Sequence, residues 1–244
     1  MADSNNSQTA FVVGATGYVG GYVVSACMDS GLKTIAHVRP DSSSLESWRN
    51  EFESLGAIVD TASWDEKSMI HALKQAQPDI VFALLGTTRA RMNALEKQGE
   101  NRTDGSYLTV DYGLTALLIR ACVGAKITPR FVYLSTVGAQ PGARGEYYEA
   151  RVLAEADLKK SGLSFTIVRP SFITGPDRKE KRLGERFGAG VLDGLLSLVA
   201  MAGMGKLKKR YGSISGKSLA DQMVRFALNE AYAGVVVDSG DLAR

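Results

Sequence analysis

The stretch Ala10-Phe11-Val12-Val13-Gly14-Ala15-Thr16-Gly17-Tyr18-Val19-Gly20 decides how this chain reads. Its first four residues are uniformly apolar, as a strand covered on both faces must be. Glycines then recur at every third position, and a helix is expected to open near Gly17. A glycine turn between a buried strand and a helix lets the backbone approach a pyrophosphate. The helix N-terminus adds free N–H groups and the positive end of its dipole. Gly14, Thr16, Gly17, Tyr18, Val19 and Gly20 are therefore candidate phosphate-binding residues. The plainer alternative is a glycine-rich turn that only shapes the start of a helix.

Outward from this turn, short apolar runs alternate with longer helical patterns. Strands are expected at 10–13, 33–38, 57–59, 79–85, 130–135 and 164–168, with a last one near 234–237. Helices are expected at 17–30, 43–54, 65–76, 106–123, 147–161 and 217–229. Such alternation predicts an α/β fold: a Rossmann-type, doubly wound parallel sheet with right-handed crossovers. Ligands in such a sheet sit beyond the carboxyl ends of the strands. Beyond Pro170 the alternation weakens, which predicts a small C-terminal substrate-binding portion.

The chain has 244 residues, 45% of them hydrophobic and 23% charged. That balance suits one soluble domain over 9–244 after a frayed polar start at 1–8, with 174–216 as a substrate or interaction region. A net charge of +3 is too small to imply nucleic acid. Cys27 and Cys122 lie in apolar helical patterns and read as reduced core residues. His37 and His71 stand apart from both, so no metal-ligand spacing exists. The start lacks the basic and apolar regions of a secretory signal, and no apolar run reaches transmembrane length. A cytoplasmic location is expected.

The second strand ends His37-Val38-Arg39-Pro40-Asp41. An acidic residue there would accept hydrogen bonds from the ribose hydroxyls of NAD. Arg39 instead suits the 2′-phosphate of NADP. Asp41 complicates this, because a small shift of the strand end brings a carboxylate near the ribose. At the fourth strand's end, Gly86 either lets the backbone pack against a cofactor ribose or is a plain turn glycine.

Ser135 ends the fifth strand, and Tyr147 follows twelve residues later. Arg151 is one helical turn beyond Tyr147, on the same helix face. Tyr148 has Val152 at that offset, which makes Tyr147 the better candidate.

The glycine turn, the Ser135…Tyr147-x-x-x-Arg151 pattern and the later Arg169-Pro170 pair resemble the short-chain dehydrogenase/reductase superfamily, in its extended and atypical branches. The resemblance runs from about residue 10 to 229. It implies that Tyr147 is the general acid/base, Ser135 the partner of a carbonyl oxygen, and Arg151 the ribose anchor and electrostatic aid. A free tyrosine titrates near about 10, so a neighbouring cation matters. The superfamily uses lysine where this chain has Arg151. Arginine keeps the charge but stays protonated, so a lysine-linked proton relay is lost. The resemblance also implies cofactor contacts at Ser63, where relatives often carry an aspartate beside the adenine, at Leu85, Gly86 and Thr87, and at Pro170, Ser171 and Phe172. Asp111 falls where extended members often have an asparagine, and is read as a helix-surface residue.

The phrase Leu85-Gly86-Thr87-Thr88-Arg89 and the charged run 177–180 look most like the Tat-interactive-protein group, with the NAD(P)H-binding, NmrA-like group close behind. The resemblance implies an oxidoreductase that favours NADP(H) over NAD(H) and acts on a small carbonyl compound. One alternative is a non-catalytic, NADPH-binding redox sensor with a regulatory protein partner. Another is an epimerase or dehydratase, which shares the fold but usually has a larger C-terminal domain. Basic clusters at 178–182 and 206–210 flank an apolar stretch at 187–205. A solvated face is the plain reading; a lipid or membrane contact, a homodimer surface or a pocket lining are the sharper ones.

Overall fold

The computed structural model describes residues 7–87, 92–93, 97, 102–175 and 212–242. Seven parallel strands form the main sheet: β1 (Thr9–Val13), β2 (Lys33–His37), β3 (Ile58–Asp60), β4 (Ile80–Ala83), β5 (Arg130–Leu134), β6 (Phe165–Arg169) and β9 (Val235–Asp238). Their order is β3-β2-β1-β4-β5-β6-β9. This is the expected Rossmann-type arrangement, with the order reversing between β1 and β4.

Among the described residues, the helices α1 (Tyr18–Asp29), α2 (Leu45–Ser54), α3 (Glu66–Ala76), α4 (Leu114–Gly124), α5 (Glu146–Lys160) and α6 (Gly216–Ala227) flank the sheet. Alternation along β1 builds two cores. Ala10 and Val12 join Val23, Val24, Leu219 and Met223 on the face under α1 and α6. Phe11 and Val13 join Met69, Leu73, Leu118 and Leu158 on the face under α3, α4 and α5. Each such large side chain contributes about 1.5–3 kcal/mol by leaving water.

Several boundaries differ from expectation. β2 stops at His37 and β4 at Ala83, although the Val38 N–H still donates to the Asp60 carbonyl at 2.9 Å and the Leu84 N–H to the Val13 carbonyl at 3.0 Å. The helix expected at 106–123 begins with a π-helical turn, Tyr107–Gly113, before α4. The π turn rotates Asp111 inward, and that residue is fully buried rather than on the surface.

A two-stranded parallel ribbon of β7 (Ile173–Thr174) and β8 (Ile214–Ser215) brackets residues 176–211. The expected basic clusters and the apolar stretch between them lie outside the described residues, as do residues 1–6, 88–91, 94–96 and 98–101. Among the described residues, no helix is long and apolar enough to cross a membrane.

Candidate functional site

The pairing register brings the carboxyl ends of the central strands level, with Val12 beside Ala36, Val13 beside Ala83, Ala83 beside Tyr133, and Leu134 beside Val168. The candidate residues lie along that edge.

At its centre the Gly14–Gly20 turn is tightly built. Gly14 adopts φ +81°, and a Cβ there would lie 2.8 Å from the Leu84 backbone. A Cβ on Gly20 would lie 2.0 Å from the Gly14 carbonyl oxygen. Glycine at both positions is thus required for α1 to dock close to the strand end. Gly17 caps α1 without a side chain, and no acidic residue stands in the first turn. By contrast, the Asp65 side chain caps α3 by accepting from the Ser68 N–H at 2.9 Å. The N-cap of α1 thus brings no side chain or acidic group of its own to the positive dipole end, which fits a pyrophosphate. Thr16 is exposed beside it and Val19 is buried beneath it.

Tyr18 does something the glycine pattern does not foretell. Its hydroxyl donates to the Thr174 carbonyl at 3.2 Å, and its ring fills the space that Cβ atoms would take at Gly175 and Gly216. It ties α1 to the β7–β8 ribbon. Ser171 is likewise occupied, donating to the Gly212 carbonyl. Pro170 accepts from the Val137 N–H at 2.9 Å, which ties together the loops after β5 and β6. Phe172 is exposed. Ser63 is exposed after β3, beside an open concavity of about 480 Å³ bordered by Asp60, Lys67 and His71. Arg39 stands beyond β2 and is paired with Asp41 at 3.1 Å.

The catalytic candidates meet between β5 and α5. Tyr147 is half-buried, with the Arg151 guanidinium 5.4 Å from its ring centroid and Tyr107 edge-on at 5.3 Å. Arg151 is buried and heavily engaged. Its Nη1 donates to the Tyr133 hydroxyl at 3.2 Å and the Leu134 carbonyl at 2.8 Å. Its Nη2 donates to Asp111 Oδ1 at 2.6 Å, and Asp111 Oδ2 accepts from the Thr87 N–H at 2.8 Å. Burial opposes the guanidinium's charge, but Tyr133, Tyr147 and Asp111 outweigh it and hold its pKa above the ordinary value. Burial pushes the Tyr133 phenol up to about 12, against the pull of Arg151.

Gly86 lies over this pair: a Cβ there would come within 2.9 Å of Arg151 Nη2 and 3.4 Å of Asp111 Oδ1. Its lack of a side chain thus makes room for Arg151. Leu85 is buried in the core below. Among the described residues, the buried side-chain polar atoms without a partner are Thr87 Oγ1 and Arg151 Nε. Buried polar atoms are rarely left so. Both belong to residues that contact Asp111, at the strand ends where a nucleotide's ribose would pass.

The ribose-anchor role expected of Arg151 is not what its geometry displays, because both Nη1 contacts and the Asp111 pair hold the fork inside the protein. Ser135 is also redirected. Its hydroxyl donates to Glu155 Oε1 at 2.7 Å, away from solvent. Glu155 is clamped by Arg169 through Nε at 2.8 Å and Nη2 at 2.6 Å. Burial pushes the Glu155 carboxyl up, but hydrogen bonds from Arg169 and Ser135 more than reverse this and hold it below the usual carboxylate value. Thr136, the next residue, is half-buried at the open end of β5. Sequence reading passed over Tyr133, Thr136 and Glu155. Glu155 had a signal, since it lies one turn beyond Arg151 on the same face.

Comparison with known proteins agrees with this architecture. A curated relative, Protein fmp52, mitochondrial, of Aspergillus clavatus, is 30% identical, and the similarity covers 73% of each chain. A Bacillus halodurans protein described as an NAD-dependent epimerase/dehydratase superposes with a TM-score of 0.65 at 19% identity, covering 96% of this chain and 97% of that one. AtPrR2, solved with NADP+ and (+)pinoresinol, superposes with a TM-score of 0.64 at 18% identity, covering 98% of this chain and 74% of that one. The model of the NAD(P)H-binding family matches residues 14–194, which take in the glycine turn, Gly86, Asp111, Tyr147 and Arg151. The chain belongs to the NAD(P)H-binding family.

Proposed function

We propose that this protein is an NADP(H)-dependent oxidoreductase that reduces a small carbonyl compound, or runs the reverse oxidation. The observation that carries the reading is Tyr147, half-exposed at the carboxyl edge of the sheet, with a buried, permanently charged Arg151 against its ring. A bound nicotinamide would supply hydride to the carbonyl carbon. The chain's part is to hold the carbonyl, and Tyr147 delivers a proton to its oxygen, so that one hydride and one proton convert carbonyl to alcohol. The Gly14–Gly20 turn and the α1 terminus hold the pyrophosphate, and Arg39 takes the 2′-phosphate. Thr136 is the hydroxyl partner of the carbonyl in place of Ser135, whose hydroxyl donates its hydrogen bond to Glu155. The Leu85-Gly86-Thr87-Thr88-Arg89 phrase supports the Tat-interactive-protein branch, and a cytosolic location goes with this reading.

The test is titration of the purified chain with NADPH, NADH and NADP+, followed by a panel of carbonyl compounds with the best-bound nucleotide. Turnover that disappears in Tyr147→Phe while nucleotide binding persists supports the reading. Tight nucleotide binding without turnover on any carbonyl defeats it.

One observation favours a second reading, a non-catalytic NADPH-dependent regulator. Asp111 lies 2.6 Å from the Arg151 guanidinium and compensates the charge on which a reactive Tyr147 depends.

A further inference from the structure

Tyr18 joins two parts of the molecule that lie 156 positions apart along the chain. It follows Gly17, the N-cap of α1, and so stands where the cofactor reading, on which this inference rests, places the pyrophosphate. Its side chain reaches the β7–β8 ribbon. The hydroxyl donates to the Thr174 carbonyl at 3.2 Å. A Cβ on Gly216 would lie 2.6 Å from the ring, and one on Gly175 would overlap the hydroxyl. The ring is thus seated between the residue that follows β7 and the residue that opens α6. Tyr22, one turn further along α1, meets it edge-on at 5.5 Å.

The ribbon is in turn bonded toward the reacting edge of the sheet. The Ile214 N–H donates to the Phe172 carbonyl at 2.9 Å, and the Val137 N–H, next to Thr136, donates to the Pro170 carbonyl at 2.9 Å. Nothing in a phosphate turn requires a phenol, since glycines give its shape and backbone N–H groups meet the phosphate. The phenol serves the ribbon. We propose that Tyr18 is a positioning residue that couples nucleotide binding at the Gly14–Gly20 turn to the order of the β7–β8 ribbon. Seating the ring costs rotamer freedom once. A nucleotide that fixes the start of α1 reduces that cost for the ribbon, and a formed ribbon reduces it for the nucleotide. Such coupling is reciprocal, so both sides gain by the same factor.

The experiment is amide hydrogen exchange at Ile214, read by NMR with and without saturating NADPH or NADH, whichever the wild type binds more tightly. It is run on the wild type, Tyr18→Phe and Gly216→Ala, alongside titrations with the same nucleotide. In the wild type the nucleotide is expected to slow exchange at Ile214 about three- to tenfold, the scale of one hydrogen bond. In Tyr18→Phe the slowing is expected to vanish and the nucleotide affinity to fall by the same factor. Gly216→Ala displaces the ring from the ribbon side, away from the phosphate turn, and is expected to weaken nucleotide binding as well. Wild-type affinity in both variants overturns the proposal. So does exchange that quickens in Tyr18→Phe equally with and without nucleotide, which is what a merely structural tyrosine gives. A wild type that binds nucleotide with no slowing at Ile214 overturns it too, and leaves the cofactor reading standing. A wild type that binds neither nucleotide overturns both.

Discussion

Arg151 and Asp111, forty positions apart, meet as a buried ion pair at 2.6 Å beneath the ends of β4 and β5. Each charge is acceptable there only because of the other. Removing one partner of such a pair typically costs about 3–5 kcal/mol, whereas replacing both with apolar groups is far milder. Asp111→Asn and Arg151→Met are each expected to lower unfolding free energy by about 3 kcal/mol, and the double variant by clearly less than the sum. Urea denaturation of the four proteins at neutral pH measures this coupling. Strictly additive losses would show that the pair does not act as a unit.

Gly86 makes a related prediction. A methyl group there would lie 2.9 Å from Arg151 Nη2, and the guanidinium cannot retreat without breaking its contacts to Asp111, Tyr133 and Leu134. Gly86→Ala is expected to cost about 1–3 kcal/mol, as overpacking does. The same change in an Arg151→Met background is expected to cost little. Thermal melts of the two backgrounds decide it, and an equal loss in both would place the strain elsewhere.

The layout of the sheet was legible because apolar runs such as Ile80–Ala83 and Phe131–Val132 have no exposed face to encode. The glycine turn was legible because a strand precedes it and a helix follows. The details of the site were harder to read, for a common physical reason. Asp111 looks like a surface helix residue until a π turn rotates it toward an arginine forty positions away. Ser135 stands at the right strand end, but Glu155, twenty positions on, decides which way its hydroxyl points. Spacing tells where a residue stands along a strand or helix. Long-range partners decide what its polar atoms do.

His37 should set the acid limit of the fold. Its ring is buried, with Nε2 2.9 Å from the Ala62 carbonyl oxygen, and it packs edge-on against Trp64 at 5.1 Å. Burial, aided by Arg39, lowers its pKa below the ordinary 6.5 despite opposing contributions from Ala62 and Asp60. The unfolded chain therefore takes up this proton first as pH falls. The stability held by neutral His37 is complete above pH 6.5 and is lost as pH drops toward the folded value. Glu155, also depressed, acts lower, below its ordinary 4.5. Denaturation midpoints between about pH 8 and 5 should fall in the wild type and stay flatter in His37→Gln, which keeps a donor for Ala62. Parallel curves for the two proteins would remove His37 as the cause.

Ser135, Thr136 and Tyr147 can be separated by what each loss disturbs. The Ser135 hydroxyl serves Glu155, so Ser135→Ala leaves a buried carboxylate one donor short. The expected outcome is about 1–3 kcal/mol of lost stability with turnover largely kept. Thr136→Val removes a hydroxyl at the open strand end, with little loss of stability and a fall in kcat of about 10²-fold if it holds the carbonyl oxygen. Tyr147→Phe removes the proton donor, and kcat should fall by about 10²–10⁴-fold while NADPH affinity persists. Single-turnover kinetics and melts on the three variants would resolve the roles. If Ser135→Ala abolishes turnover without loss of stability, the serine reaches the substrate after all and its bond to Glu155 opens when the carbonyl binds.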